Sequence, residues 1–177
     1  MGENMFLNKE RLFFNSTRRG MRMDDIIQEM KKFMNDYPYT EYKLVVGTDS
    51  QVVGKKTCFA TAIILHRAGM GTWACIGKQI ELRNIWSLHD KISKETEITY
   101  TTLHEITEKL QDNIIDNMVK YKNFSFVQEA HLDIGRKGRT RELINEMLGW
   151  FKGSGVTPKI KPYSYASYVA NRYSKCI

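Results

Sequence analysis

Cysteine is scarce and poorly placed for a covalently held architecture. The 177 residues include only Cys58, Cys75 and Cys176, an odd number set far apart with no C-x-x-C pair. That argues against a disulfide framework and a structural zinc site, and Cys58 and Cys75 read instead as buried thiols in strands. Long apolar runs are absent too. The longest, around Phe59 to Leu65, is broken by Thr61, too short to span a membrane. The start, Met1-Gly2-Glu3-Asn4-Met5-Phe6, has no basic stretch leading into an apolar one, so no secretory signal is expected. Phe6 stands where a myristoylation signal wants Ser or Thr. A cytoplasmic location is the expectation. No G-x-x-x-x-G-K-[ST] loop occurs, and Gly69-Met70-Gly71 lacks the setting of a dinucleotide fingerprint. Internal repeats, low-complexity tracts and dividing linkers are missing as well.

What is present is an ordinary globular composition, 42% hydrophobic and 27% charged. The net charge of +7 is unevenly spread. Residues 1–133 hold 18 basic and 18 acidic side chains, whereas residues 134–177 hold 9 basic ones against Glu142 and Glu146. A neutral body with a basic end suggests a surface that meets a polyanion.

Residues 1–40 read as an accessory segment. Asp24 and Asp25 open a helix with Ile26, Ile27, Met30, Phe33 and Met34 at helical spacing, ended by Tyr37-Pro38. Residues 41–177 read as the main body of a single domain. Lys43 to Asp49 is a nearly continuous apolar run, as in a strand buried on both faces. Thr57 to Leu65 and Thr72 to Leu82 follow turns and complete a meander. A helix is predicted from Ser93, its N-cap, to Tyr121, with Thr99, Leu103, Ile106, Leu110, Ile114 and Met118 in one stripe. Then come a strand over Phe126–Asp133 and a helix over Arg139–Lys152, capped by Thr140, with Leu143, Met147, Trp150 and Phe151 inward. An edge strand containing Pro158 (Val156–Lys161) and a final helix capped by Ser164 complete the chain. Strand, strand, strand, helix, strand, helix, strand, helix is the order of the ribonuclease H-like fold. It is an α/β architecture with a mixed five-stranded sheet and helices on both faces, here with an extra N-terminal helix.

Ligands in such sheets gather beyond the carboxyl ends of the parallel strands. Asp49 ends the first strand of this order and Asp133 the fourth. If those strands are parallel neighbours, the carboxylates lie side by side, and a divalent cation, Mg²⁺ or Mn²⁺, resolves their repulsion. Glu95 continues the buried helical stripe toward them, while Glu97 is rotated by about 200° around the axis. Taken singly, each acid reads as a turn or helix-end residue. Their joint placement points to two-metal phosphoryl chemistry, with Asp49 bridging and Glu95 and Asp133 completing the ligand set.

The segments KLVVGTDSQ, SLHDKISKET, HLDIG with GRTRELINEM, and KIKPYSYASYVANRYSK resemble the YkuK-type family of ribonuclease H-like proteins, a family grouped as a domain of unknown function. The resemblance covers most of the chain and implies the ribonuclease H-like fold with a nuclease role. It places the superfamily's acids on Asp49, Glu95 and Asp133. Many active members carry a fourth acid or a His on the last helix; the nearest polar group here is Asn171, which can ligate through its oxygen but adds no charge.

Arg136, Lys137, Arg139 and Arg141 follow Asp133 directly and suit a phosphate backbone, with Lys159, Lys161, Arg172 and Lys175 in the same quarter. Tyr163, Tyr165, Tyr168 and Tyr173 are interleaved with them, as stacking platforms or as packing. Ser50 and Gln51 could bond a sugar or phosphate, or serve a turn. His131 reads first as a core histidine, otherwise as a proton shuttle; His66, His89 and His104 lack metal-ligand spacing. The leading expectation is a metal-dependent nuclease hydrolysing phosphodiester bonds in RNA or DNA. A non-catalytic nucleic-acid-binding protein of the same fold is the alternative. An actin-like nucleotide-dependent kinase or ATPase is a third, in a class that usually needs two such domains.

Overall fold

The computed structural model describes residues 11–175. The readings made at Met1–Phe6 and Cys176 lie outside the described residues. The order is β1 (Phe13–Phe14), α1 (Met23–Asn35), β2 (Glu41–Val53), β3 (Lys56–Arg67), β4 (Gly71–Glu81), α2 (Leu88–Lys120) and β5 (Ser125–His131). A 3-10 turn (Arg141–Leu143), α3 (Ile144–Gly149), β6 (Thr157–Lys159) and α4 (Tyr165–Asn171) follow.

The sheet has six strands, not five, in the order β1-β4-β3-β2-β5-β6. The extra strand is a two-residue edge pairing, Phe13 with Gly77 and Phe14 with Ile76, too short to leave an alternation in the sequence. β2, β3 and β4 form the antiparallel meander, while β5 runs parallel to β2 and β6 parallel to β5. Pro158 sits on the outermost strand, as its missing N–H requires.

Side-chain alternation divides the core between the faces. Leu44, Val46, Ile63 and Leu65 join Met30 and Met34 of α1, Leu103 and Ile106 of α2, and Met147 and Phe151 on one side. Val45, Ala60, Ala62 and Ile76 meet Ala166 and Ala170 of α4 on the other. Gly47 decides how close α4 comes. A Cβ there would lie 2.5 Å from the Ser167 backbone nitrogen and 2.8 Å from the Ala166 carbonyl carbon. Only a residue without a side chain admits α4 at this distance.

Several boundaries differ from the sequence expectations. α2 begins at Leu88, because the Ser87 hydroxyl accepts the Asp90 N–H at 3.3 Å and caps it there. Ser93 is inside the helix, and its Oγ has no hydrogen-bond partner among the described residues. Met118 leaves the buried stripe and is half exposed, while Asn117 is buried. The expected Arg139–Lys152 helix shrinks to the 3-10 turn and six residues, because the Thr140 hydroxyl accepts the Gly135 N–H and holds the loop instead of capping a helix. Trp150, expected inward, is 41% exposed. Ser164 occupies the N-cap position of α4, but its side chain makes no capping bond, and α4 stops at Asn171. Cys58, expected as a thiol, is disulfide-bonded, since pairing follows spatial and not sequence proximity. Cys75 is a free, buried thiol.

Candidate active site

β2 and β5 set the two aspartates. Their parallel register pairs Gly47 with His131, where β5 ends. Two residues on, the same register brings Asp49 level with Asp133. Asp49 does not end its own strand, as expected from sequence. β2 continues to Val53 because β3 still pairs along its other edge, from Asp49–Ala60 to Val53–Lys56. It is the neighbour that ends, so Asp49 still faces the gap beyond a parallel strand.

Alternation along β2 points Thr48 and Ser50 to α2 and Asp49 to α4. Thr48 accepts a hydrogen bond from Thr99 at 3.0 Å, and the Ser50 hydroxyl donates to Glu95 Oε1 at 2.7 Å. On the opposite face the Asn171 amide donates to Asp49 Oδ2 at 3.0 Å. Asp49 and Glu95 are only 3% and 4% exposed. Asp133 is half-buried, with Lys161 Nζ 2.9 Å from its Oδ1. Lys91, one turn before Glu95, lies 3.8 Å from Glu95 Oε1. Glu97 turns away to pair with Lys94 at 2.9 Å, so Glu95 is the helix acid that faces the aspartates.

Electrostatics register this crowding. Burial, then the Asp49 charge, pushes the Glu95 carboxyl up to about 8, with Asp133 adding to the rise and Lys91 and Ser50 opposing it. Burial also raises Asp49, again against Lys91. The three acids therefore feel one another and are short of positive charge. They do not close into one coordination sphere: among the described residues no group of three or more His, Cys, Asp or Glu side chains is gathered to hold a metal ion.

His131 is fully buried and satisfied. Its Nδ1 accepts the Ala166 N–H at 3.1 Å, and its other nitrogen, Nε2, is 3.1 Å from Glu129. It thereby supplies the cap that Ser164 does not, and burial keeps its pKa below the ordinary value. Arg136, Lys137, Arg139 and Arg141 are all exposed on the loop and turn after Asp133, and Gln51 is exposed beyond Asp49. Two cavities flank this loop. One of about 450 Å³ lies on the α4 side between Asp133, Lys161, Tyr165, Tyr168 and Asn171. The other, about 460 Å³, lies on the α3 side between Arg136, Arg141, Ile144 and Ile160. Sequence reasoning missed Lys91, although its spacing of four from Glu95 was a usable sign.

This mixed sheet, with one acid inside β2 where its parallel neighbour β5 stops, one just beyond β5 and one on the long helix, defines the class. The chain belongs to the ribonuclease H-like family, whose model matches residues 25–175. It is 39% identical over 167 residues to the uncharacterized protein YkuK of Bacillus subtilis (strain 168), an alignment spanning 93% of this chain and 97% of that protein.

Proposed function

We propose that the chain is a divalent-metal-dependent nuclease that hydrolyses phosphodiester bonds in nucleic acid. The observation that carries this reading is the register that sets Asp49 level with Asp133 while Glu95 shares their field. The donors are chemically right for a hard cation: three carboxylates and the amide oxygen of Asn171, against which Lys91 and Lys161 supply fewer positive charges than there are acids. When bound, Mg²⁺ or Mn²⁺, singly or as a pair, supplies an activated water and neutralises the phosphate. Asp49 and Asp133 would hold it, with Glu95 on the α2 side and Asn171 as a neutral neighbour. Ser50 holds Glu95 in place, a positioning role that takes it away from direct contact with substrate. Lys161 shares Asp133 and so places a cation beside the phosphate to be cut. Arg136, Lys137, Arg139 and Arg141 would grip the flanking backbone.

The test is cleavage of end-labelled RNA, DNA and hybrid duplexes with Mg²⁺ or Mn²⁺ against a chelator control. Asp49→Asn and Asp133→Asn should each lower the rate at least about a hundredfold. Cleavage that survives both substitutions would overturn the reading. A second reading, non-catalytic nucleic-acid binding, draws on one observation: each acid already has a protein partner, Ser50, Asn171 or Lys161. Tight binding with no cleavage in any metal would favour it.

A further inference from the structure

The cavity on the α4 side has a construction that the acids alone do not require. Its wall is α4, whose Tyr165 and Tyr168 stand one turn apart and are 47% and 63% exposed. Both rings are held. Tyr165 packs edge-on against the buried His131 ring with centroids 4.4 Å apart, and His131 is itself fixed by Ala166. Tyr168 has the Arg172 guanidinium 5.4 Å from its ring centroid, so a cation orients the ring. Lys161 stands where the cavity meets Asp133, its side chain 55% exposed despite the ion pair. Residues 157–175 hold Lys159, Lys161, Arg172 and Lys175 and no acid at all.

Fixed aromatic faces beside Arg172 and the half-exposed Lys161, whose single ion pair with Asp133 leaves its ammonium donors to spare, suit a base joined to a phosphate. The volume, about 450 Å³, is within the range of pockets that hold small molecules or single nucleotides. A base placed there has left its neighbours in a duplex stack, which costs least when the strand is already single.

We propose that this cavity receives one unstacked nucleotide of a single-stranded nucleic acid, its base on Tyr168 and its phosphate at Lys161, next to the bond presented to Asp133. The proposal deepens the nuclease reading and rests on it for the position of the scissile bond, although the pocket itself can be tested without cleavage. Stacking selects the strand state, and the arginines on the other side of the Asp133 loop add affinity without selecting it.

Fluorescence anisotropy with labelled twelve-nucleotide RNA and DNA, single-stranded and as duplexes, in EDTA, provides the test. Wild type should bind single strands at least about tenfold more tightly than duplexes. Tyr168→Ala should weaken single-strand binding by about tenfold and leave duplex binding unchanged, while Tyr168→Phe, which keeps the ring, should stay within about twofold of wild type. The ring is largely exposed, so neither substitution threatens the fold, and an unchanged melting temperature checks this. Equal affinity for duplexes, or an alanine variant that binds like wild type, overturns the proposal. Tyr168-dependent single-strand binding without metal-dependent cleavage would keep the pocket and sink the nuclease. Cleavage of duplexes undiminished in Tyr168→Ala would do the reverse.

Discussion

Glu95 is the residue in which burial and charge conflict most sharply. Folded, it keeps its proton to about pH 8; in the unfolded chain it loses it near 4.5. Between those values folding takes up a proton, so stability from this group declines as pH rises through the window and levels off above 8. Each tenfold difference in proton affinity is worth about 1.4 kcal/mol. Glu95→Gln in EDTA should therefore melt higher than wild type, by little at pH 5 and by roughly 10 °C or more at pH 8.5. A difference that does not grow with pH would show that the site tolerates the charge. Added Mn²⁺ should raise the melting temperature of wild type and leave the variant unmoved. Ser50 shows how little a residue's neighbours in sequence reveal. Beside Asp49 it reads as a turn or phosphate group, yet alternation turns it to the other face, onto Glu95.

The legible elements were those with a long period. β2, β3, β4 and α2 each carry a run of buried residues long enough to declare its geometry, and each expected span falls almost wholly inside the observed one, although β2 runs on past Asp49 to Val53 and α2 starts five residues earlier. Short elements were less legible: β6 and α4 were placed, but β1 was missed and α3 drawn too long, because a two-residue strand or a six-residue helix has no period to count. The start of α2 was a different kind of miss, since Ser87-Leu88-His89-Asp90 carries the S-x-x-D signature of a capped helix. α4 is short and held by its surroundings: Gly47 beneath it and His131 at its amino end. Gly47→Ala would set a Cβ against α4 backbone, which cannot move aside as a side chain can. It should cost about 1–3 kcal/mol, read as a fall in urea midpoint, and weaken cleavage further by displacing Asn171 from Asp49. A variant as stable as wild type would mean that α4 is free to shift.

At the scale of the molecule, charge and topology meet at one end of the sheet. β2, β4 and β5 all point their carboxyl ends the same way, so the acids, the basic loop and both cavities lie together there. The exposed arginines of that loop should govern the ionic part of any nucleic-acid binding. Replacing Arg136, Arg139 and Arg141 by alanine should flatten the dependence of log affinity on log salt by about two, and do so equally for RNA and DNA. A slope equal to that of wild type would place the polyanion elsewhere on the surface.

The order of the long elements, the buried strands and the basic last quarter were determined by the sequence alone. Each depends on residue type and on spacing along one element. Only the tertiary structure decided which acid answers which partner: Glu95 with Ser50 and Lys91, Asp49 with Asn171, and Asp133 with Lys161. The reason is geometric. A strand sends successive side chains to opposite faces, and the register that sets Asp49 level with Asp133 is formed between segments some eighty residues apart, where spacing along the chain carries no information.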